Sequence, residues 1–560
     1  MIVAPHMSVH PFSPLFFKTR AYFSAGRHVS YLEVNRVIEK KKFRLLSIMS
    51  SLRLSSRSLL LKRLYASFKP APQLTVSDLN ESTLEAKYAV RGKIPIRADE
   101  LRSEIDLNPD GHGLPYDRII SANIGNPQQL DQQPLSWYRQ VLSLMQYPTL
   151  INKINTLDKK TADSLYPPDV VERARKLLKT TGSVGAYSHS QGDITVRKSV
   201  AKFISERDGY AAHPQNIFLT SGASSAVLYL IQVLSSSPNA GFLIPIPQYP
   251  LYTASIALNN AKPIGYFLDE DNHWSTDPVQ IRRLIDENKA NGVDLKALVV
   301  INPGNPTGAI LTEKDIAEII DIAAEHGLVL IADEVYQENV FEGKFVSMKK
   351  VYAQLLEKDP ETYKHVQLAS LHSTSKGVSG ECGQRGGYME LVGFSQEVRD
   401  IIFKLASINL CPVVSGQALV ELMINPPKEG EPSYELYQKE TTGIHDDLME
   451  RASLLYKSFC AMTDVQCNKP QGAMYLFPSL KFTKETYGKL FEASEELNLT
   501  PDEYYCTELL EKTGICCVPG NGFGQVPGTY HLRTTFLPPG TKWIEEWTKF
   551  HEDFVSKYKN

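Results

Sequence analysis

The sequence has no run approaching the roughly 18 to 20 consecutive apolar residues that a membrane-spanning helix needs. It has little charge imbalance either. A formal net charge of -3 over 560 residues gives no general pull toward nucleic acid or an anionic membrane surface. Cysteine is scarce and unpatterned: Cys382, Cys411, Cys460, Cys467, Cys506, Cys516 and Cys517 are odd in number, scattered, and form no paired C-x-x-C spacing. That argues against a disulfide framework or a zinc site, and reduced thiols in an intracellular protein are the simplest account. No repeat of about 20 to 50 residues and no long low-complexity tract is present.

Acidic residues are nearly missing from one end. Before Asp78 the only ones are Glu33 and Glu39. Residues 49–69 combine arginine, lysine, serine and leucine with no acid, the composition of an amphipathic transit peptide. Arg63-Leu-Tyr-Ala66 resembles a matrix-processing site, and Met49 offers an alternative start. A disordered basic tail is the plainer alternative. Residues 1–70 are therefore expected to be a mitochondrial targeting or disordered segment outside the fold, with a matrix location, or a cytosolic one if translation starts at Met49 or later.

What remains is long enough for two structural domains, and its 42% hydrophobic and 22% charged residues suit a globular protein. Helical and strand patterns alternate from about residue 151 to 387, as a mostly parallel sheet covered by helices requires. After Gly387 the pattern turns mainly helical, with short strands near 471–477, 515–519 and 530–536. The expected architecture is α/β: residues 78–150 form an N-terminal arm and part of a small domain, 151–405 a large ligand-binding domain, and 406–560 a small α+β domain.

One stretch organises the chemistry: His372-Ser-Thr-Ser-Lys376-Gly-Val-Ser-Gly380-Glu-Cys-Gly-Gln-Arg385-Gly-Gly387. It follows an apolar, strand-like run, so Lys376 leaves a strand end on a turn, where α/β proteins keep reactive groups. A lysine amine near other cations or out of water forms Schiff bases with aldehydes. Ser373, Ser375 and Arg385 suit a phosphate. A lysine beside a phosphate site describes pyridoxal phosphate, an aldehyde at one end and a phosphate at the other. Alone, the stretch reads equally as an exposed Gly/Ser loop.

Other strand ends supply compatible groups. Ser221-Gly-Ala-Ser-Ser225 opens a helix, either an anion site or an ordinary serine cap. Tyr249, after a buried strand, could stack on a planar ring or pack in the core. Asn302-Pro-Gly-Asn305-Pro-Thr-Gly308 is a turn. Leu328-Val-Leu-Ile-Ala332 is an apolar central strand that ends in Asp333, and Tyr336 follows three residues later. A buried aspartate needs a cation, and a protonated pyridine nitrogen is one.

Taken together and in order, Ser-Gly-Ala-Ser, Pro-Gln-Tyr-Pro, Asn-Pro-Gly-Asn-Pro-Thr-Gly, Asp-Glu-Val-Tyr, Ser-Thr-Ser-Lys and His-Leu-Arg-Thr-Thr-Phe resemble the class I/II aminotransferases of pyridoxal-phosphate fold type I. Within that class, Asn123-Ile-Gly-Asn-Pro-Gln128 and residues 373–388 are most similar to the alanine aminotransferases. The resemblance implies pyridoxal 5'-phosphate held covalently on Lys376, Asp333 at the pyridinium nitrogen, Tyr336 and Asn305 at the phenolic oxygen, and Tyr249 on the ring. It implies a phosphate site at Gly222, Ala223, Ser224, Ser373 and Arg385, joined by Tyr187 from a second subunit, and hence a homodimer. Arg533, near Gly125 and Asn305, is implied to clamp the substrate carboxylate. Arg385 lies nine residues after Lys376, where many relatives show eight.

The implied reaction is a ping-pong exchange between amino acids and 2-oxo acids, L-alanine and 2-oxoglutarate giving pyruvate and L-glutamate, without metal. A lyase of the same fold, a silent paralogue and a cofactor-binding regulator are the competing readings; for the last, residues 1–110 show no helix-turn-helix pattern.

Overall fold

The computed structural model describes residues 74–86 and 92–560, so the transit-peptide expectation for 1–70, with Met49, lies outside the described residues. The chain divides into Met1–Leu79 and Asn80–Asn560. Of the first, residues 74–79 are described, with one 3-10 turn at Val76–Asp78.

In the second unit, a two-residue strand β1 (Ile120–Ser121) precedes seven strands of one large sheet: β2 (Ile217–Thr220), β3 (Ala240–Ile246), β4 (Lys262–Phe267), β5 (Asp294–Ile301), β6 (Val329–Asp333), β7 (Gln367–Ser373) and β8 (Gly387–Val392). Their order is β2-β8-β7-β6-β5-β3-β4. The pairings from β4 through β7 are parallel, whereas β8 runs antiparallel to both neighbours. Every residue of β6 is buried, and so its sequence is continuously apolar up to the aspartate. Alternate side chains go to opposite faces. Leu298, Val300 and Leu330 pack with the helices Pro278–Ala290, Glu313–His326 and Met348–Lys358. Ala297, Val299 and Ile331 pack with Ala223–Leu234, Leu251–Leu258 and Gln396–Ile408. At about 1.5–3 kcal/mol per buried aliphatic side chain, this double cover fixes the sheet and the strand ends that carry the site.

Capping side chains set the helix ends. Thr312 and Asp315 form a reciprocal capping box, with the Asp315 N–H 3.2 Å from Thr312 Oγ1 and the Thr312 N–H 2.8 Å from Asp315 Oδ2, and Gly327 ends that helix in the left-handed region. Asp193 likewise caps the earlier helix Ile194–Asp208.

Short strands follow: β9 (Val465–Gln466), β10 (Tyr475–Leu476), β11 (Ser479–Leu480), β12 (Ile515–Cys516), β13 (Val518–Pro519) and β14 (Tyr530–Thr535). β14 pairs with β10, β11 and β13, and β12 pairs in parallel with β1. One expectation needs correction: alternation does not stop at Gly387, because β8 begins there. The helices that follow are Gln396–Ile408, Val414–Ile424 and the long Tyr434–Ala461.

Candidate active site

Three parallel strands end side by side, with Ile301 of β5 beside Asp333 of β6 and Asp333 beside Leu371 of β7. Beyond these ends lies a cleft of about 430 Å³, within the size range of small-molecule and cofactor sites. It is lined by Gly125, Ala223, Ser224, Tyr249, Asn305, Asp333, Tyr336, Ser373, Lys376, Arg385 and Arg533. Eleven of the thirteen expected site residues therefore meet in one place. Gly222 stands just behind the wall, and Tyr187 stands outside it.

Lys376 follows β7 on a turn. Its Nζ is half-buried and donates to the Gly125 carbonyl at 2.8 Å. The turn is held by the Gly377 N–H on Asn339 Oδ1 at 2.7 Å. Gly377 has φ +68°, and a side chain there would strike Glu338, so glycine is required.

Asp333 is 5% exposed. Its Oδ2 accepts from the Tyr252 hydroxyl at 2.9 Å, while Oδ1 is buried with no hydrogen-bond partner among the described residues. The Val335 N–H approaches the carboxyl but makes no bond of normal geometry. Burial pushes the acid up to about 6, against the opposing Tyr252 bond, the Val335 dipole and the Lys376 charge. A buried acceptor oxygen left open is costly, and a cationic N–H in the cleft would satisfy it.

At the other end of the cleft, antiparallel β8 places its first residue against the last residues of both β2 and β7: Gly387 pairs with Thr220 and with Ser373. Arg385, two residues earlier, thus faces the start of the helix Ala223–Leu234. Its Nη2 donates to Ser224 Oγ and the Ser221 carbonyl, each at 3.0 Å. Gly222 caps the helix at φ +80°, and a Cβ on it would lie 2.4 Å from Arg385 Nη2. Guanidinium, hydroxyl and first-turn N–H groups together make an anion cradle.

Arg533, from β14, is 1% exposed and lies between the rings of Tyr475 and Phe523, 4.3 and 4.5 Å from their centroids. Nη1 donates to Asn305 Oδ1 at 3.2 Å and Nη2 to the Asn123 carbonyl. Its Nε is buried without a partner, and among the described residues no carboxylate lies within ion-pair distance of it. A desolvated guanidinium so placed is set to receive a carboxylate.

Tyr187 is 78% exposed. Sequence reasoning gave no role to Tyr252, Tyr475, Asn123 or Phe523. Tyr252 carried a usable signal, since it follows Tyr249 by one helical turn; Tyr475 carried none beyond being aromatic. Among the described residues no group of His, Cys, Asp and Glu could hold a metal ion, and no helix is long and apolar enough to cross a membrane.

A lysine amine, an unpaired buried carboxylate oxygen, an anion cradle and an open guanidinium at the ends of parallel strands define an aminotransferase of fold type I. Residues 153–542 match the family model "Aminotransferase class I and II", and the chain belongs to that family, whose members use pyridoxal phosphate. The mitochondrial alanine aminotransferase of Saccharomyces cerevisiae is 56% identical over 497 residues, 88% of this chain and 82% of that one. The same yeast's inactive alanine aminotransferase is 54% identical over 88% of this chain and 96% of its own. Among solved structures, the alanine aminotransferase of Pyrococcus furiosus aligns with TM-score 0.65 at 25% identity, covering 85% of this chain and 100% of that one.

Proposed function

We propose that the chain transfers the amino group of L-alanine to 2-oxoglutarate, giving pyruvate and L-glutamate, with pyridoxal 5'-phosphate as cofactor. The observation that carries this is the joint presence of Lys376, the open Asp333 oxygen and the open Arg533 guanidinium in one cleft of a chain 56% identical to a protein named for that activity. When bound, the cofactor supplies an electron sink for the electrons of the substrate's Cα–H bond. Asp333 Oδ1, open in the fold, would accept the ring N–H, and Arg385 with Ser224 and the first turn of the helix Ala223–Leu234 would hold the phosphate. Tyr249, which lines the same cleft, would cover the ring. Arg533 would pair with the α-carboxylate and so orient Cα toward Lys376, whose Nζ would take the Cα proton and deliver it to the cofactor's aldehyde carbon.

A silent cofactor-binding protein is the second reading, favoured by the inactive yeast relative. One assay separates them. Pyruvate formation from alanine and 2-oxoglutarate, with kcat/KM highest for alanine over aspartate, 2-aminoadipate and aromatic amino acids, supports the proposal. No turnover, with cofactor bound, supports the second.

Two further parts of the proposal concern assembly and place. A homodimer with Tyr187 reaching the other subunit's cleft is supported by the exposed apolar side chains Tyr187, Ile408, Leu410 and Val413 and by Ser190 Oγ, which donates to the Leu410 carbonyl at 2.6 Å and so ties the Tyr187 loop to that segment. Sedimentation as a monomer refutes it. A mitochondrial matrix location is supported by relatives named mitochondrial. The division into a large domain at 151–405 and a small one at 406–560, with 78–150 as arm, is likewise proposed; the separate sheet around β14 supports it.

A further inference from the structure

Tyr475, on β10, stands where the groups that bind the carboxylate and move the proton meet. Its ring is the platform under the Arg533 guanidinium, 4.3 Å from the centroid. Its hydroxyl is 3.5 Å from that of Tyr336, the two rings crossing at 80°. A Cβ built on Gly125 would lie 2.2 Å from Tyr475 Oη and 3.0 Å from Lys376 Nζ, so both atoms converge on the bare Cα of the residue whose carbonyl holds Nζ. Position is fixed from below, because Tyr475 pairs with Thr535 of the strand that carries Arg533.

The charged and titratable groups facing the hydroxyl are Lys376, Arg533 and Tyr336; Asp333 is the carboxylate that lines the same cleft. Burial raises both tyrosines. For Tyr336 it wins, and that phenol is held well above the ordinary range. For Tyr475 the Lys376 and Arg533 charges, with hydrogen bonds from Tyr336 and Lys376, outweigh burial and hold it below. Of two tyrosines in contact, one keeps its proton and the other, beside the amine, gives it up more readily.

We propose that Tyr475 is a positioning residue that acts through Lys376 and Arg533 at once, its hydroxyl directing the amine and its ring carrying the guanidinium. This rests on the aminotransferase reading. It makes the distance between substrate carboxylate and proton acceptor a property of one side chain. The hydroxyl can also exchange a proton with Nζ between its two transfers, with no net proton change.

Tyr475→Phe keeps the ring and removes the hydroxyl; Tyr475→Leu removes both. For Tyr475→Phe, kcat falls about 10- to 100-fold and its pH profile changes shape, while KM for alanine stays within about threefold because the platform survives. Tyr475→Leu additionally raises that KM. In the cofactor-free protein, subtracting the phenolate absorbance titration of Tyr475→Phe from that of wild type leaves one tyrosine ionising below the ordinary value of about 10. A wild-type kcat and pH profile in Tyr475→Phe, or a difference titration centred at or above the ordinary value, overturns the proposal. If wild type turns over no amino acid, the aminotransferase reading has failed, and the titration alone decides the role of Tyr475.

Discussion

Asp333→Asn should stabilise the cofactor-free protein and disable the loaded one. The acid sits at about 6 in the fold against an ordinary 3.8. Below pH 3.8 it is protonated in folded and unfolded chains alike and costs nothing. Between 3.8 and about 6 the unfolded chain ionises first, so the cost to the fold grows, and above about 6 it is complete. At 1.36 kcal/mol per pH unit the full cost is ~3 kcal/mol, falling to roughly half near pH 5. Asparagine keeps the shape and an oxygen for the Tyr252 hydroxyl but carries no charge to desolvate. Denaturant midpoints of both cofactor-free proteins, near pH 8 and near pH 5, measure the difference. Glu334 beside it, also pushed up to about 7 by burial, titrates in both and cancels. With saturating pyridoxal phosphate the order reverses, since wild type gains the ring N–H pairing, and kcat of the variant drops by roughly 100-fold or more. A cofactor-free Asp333→Asn no more stable than wild type near pH 8 would show that Oδ1 is not an uncompensated charge.

Lys376→Ala should fold normally and lose at least ~1,000-fold in turnover, read by pyruvate formation; near-normal turnover removes this lysine from the reaction. Arg533→Lys should raise KM for alanine by roughly 30-fold or more, ~2 kcal/mol, because an ammonium cannot make the two parallel bonds; an unchanged KM places the carboxylate elsewhere. Residues 1–77 fused to a fluorescent reporter should direct it to mitochondria, and a cytosolic reporter refutes the targeting role.

The parallel core was legible because burial on both faces leaves a continuous apolar run, as in β6, and the run ends where the chemistry begins. β8 was not legible as part of that core. Gly387-Tyr-Met-Glu-Leu-Val392 carries Glu390, which the sequence gives no reason to bury, and in the fold it is paired with buried Lys349 at 2.8 Å. Pairing across 41 positions cannot be seen along the chain. The same holds for Tyr252 and Tyr475. Lys376, Asp333 and Arg385 stand out because charge is rarely buried without a reason, whereas an aromatic at a site looks like an aromatic in a core until its hydroxyl is seen against Asp333 or Tyr336.

The strand that the pattern does not announce, β8, also accounts for the spacing of Lys376 and Arg385. β7 delivers Lys376 past its C-terminal end, and the next strand must return antiparallel between β7 and β2 for its first residue to meet Thr220 and Ser373 together. Residues 377–386 make that return at the mouth of the cleft, through left-handed turns at Gly377 and Gly380 and a 3-10 turn at Cys382–Gln384. Arg385 leaves the turn at φ +56°, a conformation costing a non-glycine residue about 1–2 kcal/mol. Its partners hold it there: the Cys382 carbonyl on Nη1 at 2.9 Å, and Ser221 and Ser224 on Nη2. Gly386 and Gly416 let the backbones close in, since a Cβ on either would lie 2.6 Å or less from a carbonyl of the other segment. The anchor that fixes Arg385 is thus its start-of-strand position against β2, and the number of residues after Lys376 is free to vary as long as the loop closes on that point.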